Sequence, residues 1–192
     1  MTKDKIAVIG LGYVGLPLAS LFATKYDVVG FDINQKRIVE LSKGYDSTLE
    51  ITTETLSSVL KKSSNDNLGL LCTSLIEDIK SCNYYIVTVP TPIDINDKPN
   101  LEPLRKASET VGLFLNKGDI VIYESTVYPG VTEDECAPIL QRVSELKLNV
   151  DFYVGYSPER INPGDKIHTV DKILKITSGS TSQASKKIDA LY

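Results

Sequence analysis

Alternation of strand-like and helix-like segments from end to end of this 192-residue chain predicts an α/β fold, a doubly wound, mostly parallel sheet with helices on both faces. Two observations carry that prediction. Short apolar runs such as Ile6-Ala7-Val8-Ile9, Tyr84-Tyr85-Ile86-Val87 and Ile120-Val121-Ile122-Tyr123 read as strands buried on both faces. Between them lie stretches with apolar residues at helical spacing, closed by glycine or by polar breaks. A hydrophobic content of 42% is enough for a sizeable core. Without an internal repeat or a low-complexity tract, the simplest organisation is one domain over residues 1–192.

Taken in order, Ile6 to Ile9 is the first strand, and Gly15 to about Thr24 the first helix. Tyr26 to Asp32 is a second strand, and Asn34 to Ser42 a helix with Ile38 and Leu41 on one face and Gly44 as its stop. Tyr45 to Thr53 reads as a loop, Glu54 to Lys62 as a helix entered through Thr52 or Thr53, and Ser63 to Asn67 as a polar break. Leu68 to Thr73 is a short strand, Ile76 to Lys80 a helical turn, and Tyr84 to Val89 a buried strand that Pro90-Thr91-Pro92 terminates. Glu102 to Leu115 is the next helix and Ile120 to Tyr123 the next strand. Thr132 is expected to open a helix to about Leu146, with Glu133, Asp134 and Glu135 in a capping and dipole pattern. Phe152 to Tyr156 and Ile173 to Ser178 are the last strands, and Thr181 to Tyr192 begins a final helix.

Bulk properties exclude several function classes. A net charge of −4, a pI near 5.1 and no basic run argue against a nucleic-acid or anionic-membrane partner. The longest apolar segments are only strand-length and no signal peptide precedes the first strand, so a cytoplasmic protein is expected. Cys72, Cys82 and Cys136 are odd in number, widely spaced and without a C-x-x-C pair, which points to buried free thiols. His168 is the single histidine, so no multi-histidine metal site exists and no metal is expected.

The chemistry begins at Gly10-Leu11-Gly12-Tyr13-Val14-Gly15, where an apolar strand breaks into three glycines and then a helix. Gly10 permits a tight turn, Gly12 lets backbone approach a pyrophosphate, and Gly15 allows close helix-to-strand packing. The helix start supplies free N–H groups and a positive dipole end. Asp32, twenty residues past Gly12 at the end of the second strand, is where a ribose-binding carboxylate belongs in a Rossmann-like fold. That carboxylate would repel a 2′-phosphate, so the expected cofactor is NAD. A plain strand-turn-helix, with Asp32 as a turn residue or helix cap, is the competing reading. Arg37, five residues on, could meet the ribose or a phosphate, or lie on a solvated helix face.

Further along, polar groups gather at the ends of strands, where an open parallel sheet binds its ligands. They are Thr91 between Pro90 and Pro92, Ser125 with Thr126, and Glu159 with Arg160. Such loops can hold a nucleotide and an anionic second ligand. An ordinary surface ion pair is the alternative for Glu159 and Arg160.

Together, Gly10 to Pro17, Val89-Pro90-Thr91-Pro92, Glu124-Ser125-Thr126-Val127-Tyr128-Pro129-Gly130 and Ser157-Pro158-Glu159-Arg160-Ile161-Asn162-Pro163-Gly164 resemble, in that order, the UDP-glucose/GDP-mannose dehydrogenase family of nucleotide-sugar 6-dehydrogenases. The Pro-Glu-Arg-Ile form resembles its UDP-N-acetylhexosamine branch, which supplies uronic acids for surface polysaccharides. The resemblance implies that Tyr13 and Val14 (through backbone), Asp32, Arg37, Pro90, Thr91, Ser125 and Thr126 line the NAD site. It implies that Thr126 and Glu159 support catalysis, and that Glu159, Arg160 and Ile161 meet the nucleotide sugar.

The implied chemistry is a two-step oxidation of a sugar C6 alcohol to a carboxylate with two NAD, through a cysteine thiohemiacetal, in a homo-oligomeric enzyme. Cys72, Cys82 and Cys136 match none of the family's nucleophile positions. By the resemblance, that cysteine, a long central helix and a carboxyl-terminal UDP-sugar domain are absent from this chain. Its last helix would be truncated near 181–192, leaving an amino-terminal domain that binds NAD without turnover. Two other functions stay open: a hydroxyacid or 6-phosphogluconate-type dehydrogenase sharing this first domain, and a non-catalytic dinucleotide-sensing module.

Overall fold

The computed structural model describes residues 4–62, 66–93, 95–160 and 172–192. Its strands are mostly parallel and alternate with helices, a Rossmann-like α/β arrangement. The chain divides into two compact units, residues 1–82 with 160–174, and residues 83–159 with 175–192.

In the first unit, β1 (Lys5–Ile9) leads through the glycine turn into α1 (Gly15–Phe22), followed by β2 (Asp27–Phe31), α2 (Gln35–Ser42), α3 (Thr53–Val59) and β3 (Gly69–Thr73). The strands run parallel in the order β3-β2-β1, with Ile6 opposite Val28 and Val29 opposite Leu71. A 3₁₀ turn over Ile76–Ser81 closes the unit. β1 has no polar residue after Lys5, and Ile6, Ala7 and Val8 are fully buried, as expected for a strand covered on both faces. Asn34 caps α2 by accepting from the Lys36 and Arg37 amides, and Thr52 caps α3 through Thr55.

The second unit holds β4 (Tyr84–Val87), α4 (Glu102–Gly112), β5 (Ile120–Tyr123), α5 (Ala137–Ser144), β6 (Tyr153–Tyr156), β7 (Ser178–Gly179) and α6 (Ser182–Leu191). β4, β5 and β6 are parallel and β7 adds antiparallel to β6. Gly155 lets α6 close on β6, since a Cβ there would stand 2.3 Å from the Ile188 side chain.

Several segments depart from the sequence reading, including α3 and α4, which end at Val59 and Gly112 rather than at Lys62 and Leu115. β4 stops at Val87, two residues before the expected end. The helix expected from Thr132 starts instead as a π turn over Val131–Cys136, with left-handed Gly130 at its cap and no side-chain cap. Pro138, just beyond, has no N–H to return to the carbonyl four residues back, so the preceding turn is free to widen. The strand expected over Ile173–Ser178 pairs only at Ser178 and Gly179. Exposure does alternate from Ile173 to Ser178, the mark of extended chain, but only the end of the segment finds a ladder partner.

The turn into β5 gives a pH-dependent prediction. Asp119 is buried and accepts the Asn116 amide at 2.8 Å. Burial pushes its carboxyl up from 3.8 to about 6, against the opposing hydrogen bonds from Asn116. The folded value is raised, so the group's stabilising contribution is complete below the unfolded value near 3.8 and is lost as pH rises through about 6. Asp119→Asn does not titrate. Between about pH 4 and pH 7.5 its stability relative to the parent chain should therefore rise by about 2 kcal/mol in denaturant unfolding.

Candidate functional site

The glycine turn of the first unit is built around Leu11. Gly10 turns the chain with a left-handed φ of 98° while its amide still bonds the Phe31 carbonyl at 2.8 Å. Leu11 is then fixed in three ways. Its side chain fills the space left by Gly30, where a Cβ would come within 2.9 Å of it. Its amide donates to Asp32 Oδ2 at 2.8 Å, and its carbonyl accepts from Arg37 Nε at 3.0 Å.

Beyond Leu11 the backbone opens. A Cβ at Gly12 would meet nothing within 4 Å. The amides of Gly12, Tyr13 and Val14 have no hydrogen-bond partner among the described residues, and Val14 begins α1 without a side-chain cap. Three consecutive unsatisfied donors at the start of a helix, beside a position with no side chain, suit a phosphate group. Gly15 is buried as the first residue of α1, Val14 is buried and Tyr13 is exposed.

Asp32 is half-buried at the end of β2, and its Oδ1 accepts the Asn34 amide at 2.8 Å. Each carboxylate oxygen has two lone pairs, so both retain capacity for ribose hydroxyls. Arg37 is neither on a solvated face nor extended outward. Only 7% exposed, it places one terminal nitrogen 2.7 Å from Asp46 Oδ1 and reaches the Ser47 and Thr48 hydroxyls. Burial pushes the Asp46 carboxyl up, but the Thr48 hydroxyl, the Ile51 and Thr48 amides and the Arg37 guanidinium outweigh it and hold the group below the ordinary carboxylate value.

In the second unit the carboxyl ends of β4 and β5 are tied together. Thr91 donates its hydroxyl to the Thr126 carbonyl at 2.7 Å, and Ser125 donates to the Val89 carbonyl at 2.6 Å. Ser125 is buried, whereas Pro90 and Thr126 are exposed and Thr91 is half-buried. The Ser157 hydroxyl, just past β6, is fully buried with no hydrogen-bond partner among the described residues. Glu159 Oε2 lies 3.1 Å from Lys175 Nζ, whose other carboxylate is Glu124 at 2.7 Å. Burial pushes the Glu124 carboxyl up, opposed by the Lys175 ammonium and the Tyr192 hydroxyl, which donates to Glu124 Oε1.

Arg160 belongs to the first unit, is exposed, and donates to the Leu174 carbonyl. Ile161 and His168 lie outside the described residues.

Cys82 and Cys136 are buried and Cys72 is half-buried, and none is in a disulfide. Burial pushes the Cys72 thiol up to about 12, against Arg37, and the Cys136 thiol up to about 11. Neither is a thiolate near neutral pH. Among the described residues no group of three His, Cys, Asp or Glu side chains could hold a metal ion, and no helix is long and apolar enough to cross a membrane.

Sequence reasoning did not single out Glu124, Lys175, Tyr192 or Asp46. Glu124 opens the quoted 124–130 stretch, so position offered a hint. Lys175 offers one only through period-two alternation, which puts it on the same side as Ile173 and Thr177.

Comparison with known proteins identifies the family. The model of the UDP-glucose/GDP-mannose dehydrogenase family, NAD binding domain, matches residues 4–192. A UDP-N-acetyl-D-glucosamine 6-dehydrogenase of Salmonella typhi is 61% identical over 98% of this chain and 42% of its own length. One of Pseudomonas aeruginosa is 57% identical over 99% of this chain and 43% of its own. The structure of a UDP-D-ManNAc dehydrogenase from Pyrococcus horikoshii superposes with a TM-score of 0.82 and 36% identity, covering 98% of this chain and 44% of that one. The chain thus spans less than half the length of these relatives.

Proposed function

Since the chain belongs to the UDP-glucose/GDP-mannose dehydrogenase family, as its NAD-binding domain, we propose that it holds the dinucleotide for a UDP-N-acetylhexosamine 6-dehydrogenase, which oxidises the sugar's C6 alcohol to the uronic acid with two NAD for surface-polysaccharide synthesis. The observation that carries the reading is the open turn at Gly12, with three unsatisfied amides directly after Leu11, whose own amide is held by the Asp32 carboxylate, in a chain 61% identical to a relative so named. The family match over residues 4–192 favours it over a hydroxyacid-type dehydrogenase or a sensor.

In this reading the amides of Gly12, Tyr13 and Val14 take the pyrophosphate, and Asp32 accepts the adenosine ribose hydroxyls. Arg37 acts on the cofactor through Leu11, whose carbonyl it holds. Pro90, Thr91, Ser125 and Thr126, at the ends of β4 and β5, are the cofactor residues of the second unit. Bound NAD supplies the hydride acceptor. Thr126 and Glu159 polarise the reacting oxygen and organise water, and Arg160 and Ile161 meet the nucleotide sugar. The nucleophilic cysteine comes from outside residues 1–192, because burial keeps Cys72 and Cys136 as thiols and Cys82 is buried.

Calorimetry on the 192-residue chain should show NAD binding, with NADP at least about tenfold weaker because the Asp32 charge opposes a 2′-phosphate. Asp32→Asn keeps the shape and removes the charge. It should weaken NAD binding and narrow the gap between the two dinucleotides. The chain alone should form no NADH from UDP-N-acetylglucosamine, and sustained turnover would refute the placement of the nucleophile elsewhere. An equal affinity for NADP would refute the role of Asp32.

A further inference from the structure

Glu124 follows β5 directly, and its amide is fixed to the Val87 carbonyl at 2.9 Å, so its side chain starts from a rigid point. That side chain is fully buried. One carboxylate oxygen accepts the Tyr192 hydroxyl, and the other lies 2.7 Å from Lys175 Nζ. Burial holds the Tyr192 hydroxyl well above its ordinary value, so it stays a donor. The Lys175 ammonium is also 5.9 Å from the centre of the Tyr192 ring. From this anchored position it reaches Glu159 Oε2 at 3.1 Å. Both ends of the bridge are nearly closed to solvent, with side-chain exposures of 10% for Lys175 and 7% for Glu159.

Two carboxylates sharing one buried ammonium are a poor device for stability, because desolvating the charges offsets most of their attraction. They are a good device for orientation. Lys175 has three donors, enough to bridge both carboxylates at once, and holding a long side chain in one geometry is what such a bridge does. We propose that Lys175 is a positioning residue for Glu159: anchored on the buried Glu124 and Tyr192 pair, its ammonium fixes the Glu159 carboxylate just past the carboxyl end of β6. The functional side of this inference rests on the reading of Glu159 as the group that organises substrate and water.

Two independent measurements test it. In the 192-residue chain, the carboxyl ¹³C resonance of Glu159 should shift and its side chain gain mobility in Lys175→Met, and stay near the parent position in Lys175→Arg. In the full gene product, Lys175→Met should lower kcat for NADH formation from UDP-N-acetylglucosamine by on the order of 100-fold, the cost of a small misplacement of a reacting group, with KM for NAD within about threefold. Lys175→Arg, which keeps the charge and can still bridge, should recover most of that loss. Removing the ammonium alone strands the buried Glu124 charge, so a Glu124→Gln/Lys175→Met double variant guards against misfolding and should show the same low kcat.

Unchanged kcat in a folded Lys175→Met or in the double variant would overturn the proposal, and so would a Glu159 resonance indifferent to residue 175. Should the parent gene product not oxidise a UDP-N-acetylhexosamine at all, the functional reading falls. The carboxyl resonance still decides whether Lys175 fixes Glu159.

Discussion

Gly12→Val is expected to abolish measurable NAD binding while leaving the fold intact. The substitution costs the protein little, because the position is exposed, a Cβ there meets nothing within 4 Å, and Gly12 is not among the glycines with positive φ. The branched side chain would instead occupy the space through which a phosphate must approach the amides of residues 12 to 14. Hydrogen bonds to a charged group are worth about 1.5–3 kcal/mol each, so losing even two of the three weakens binding by a factor of roughly 100 or more. Calorimetry against NAD and thermal unfolding, done on the same preparation, separate the two effects. Retained affinity would remove the turn from the cofactor site. The contrast is Gly10→Val, which should unfold the turn itself, since φ is 98° there.

Arg37→Met should destabilise the first unit by about 3–5 kcal/mol in denaturant unfolding, the usual cost of stripping one partner from a buried ion pair. Asp46 is 3% exposed and would keep its charge with the guanidinium gone. The Leu11 carbonyl would lose its Nε donor in the same step, so NAD affinity should fall as well, even where the protein remains folded. Arg37→Lys should recover little, because a single ammonium cannot span the Leu11 carbonyl, Asp46 and the two hydroxyls that the planar fork reaches. Adding Asp46→Asn to Arg37→Met should restore part of the stability but not the binding. A loss below about 1 kcal/mol in the single variant would mean that water takes over the Asp46 charge.

These two positions show what was legible in the sequence. Gly12 was, since a strand, a glycine-punctuated turn and an acid twenty residues later are local events governed by backbone sterics and helix-end chemistry. The parallel order of strands was legible for the same reason, because apolar runs alternate with helical periods. Arg37 was not. Its spacing from Asp32 suggested the ribose, yet the side chain turns to the Leu11 carbonyl and to Asp46, and only the packed loop over residues 45–51 brings Asp46 into reach. Lys175 was hidden similarly. The residues it joins are 51 and 16 positions away, and an extended segment with good alternation read as more strand than it is. The π turn ahead of α5 went unread because an acidic first turn outweighed the effect of Pro138 on the ladder.

The contact between Leu11 and Gly30 carries a consequence for how this domain can change over time. Because the leucine occupies the room that residue 30 gives up, the two positions behave as a lock and its keyhole, and neither can drift alone. A lineage enlarging residue 30 would first have to shrink residue 11. That in turn would loosen the peptide whose two ends Asp32 and Arg37 grip. Selection for a different dinucleotide would therefore meet a coupled set of four residues, and libraries that randomise residue 32 alone explore only one coordinate of it.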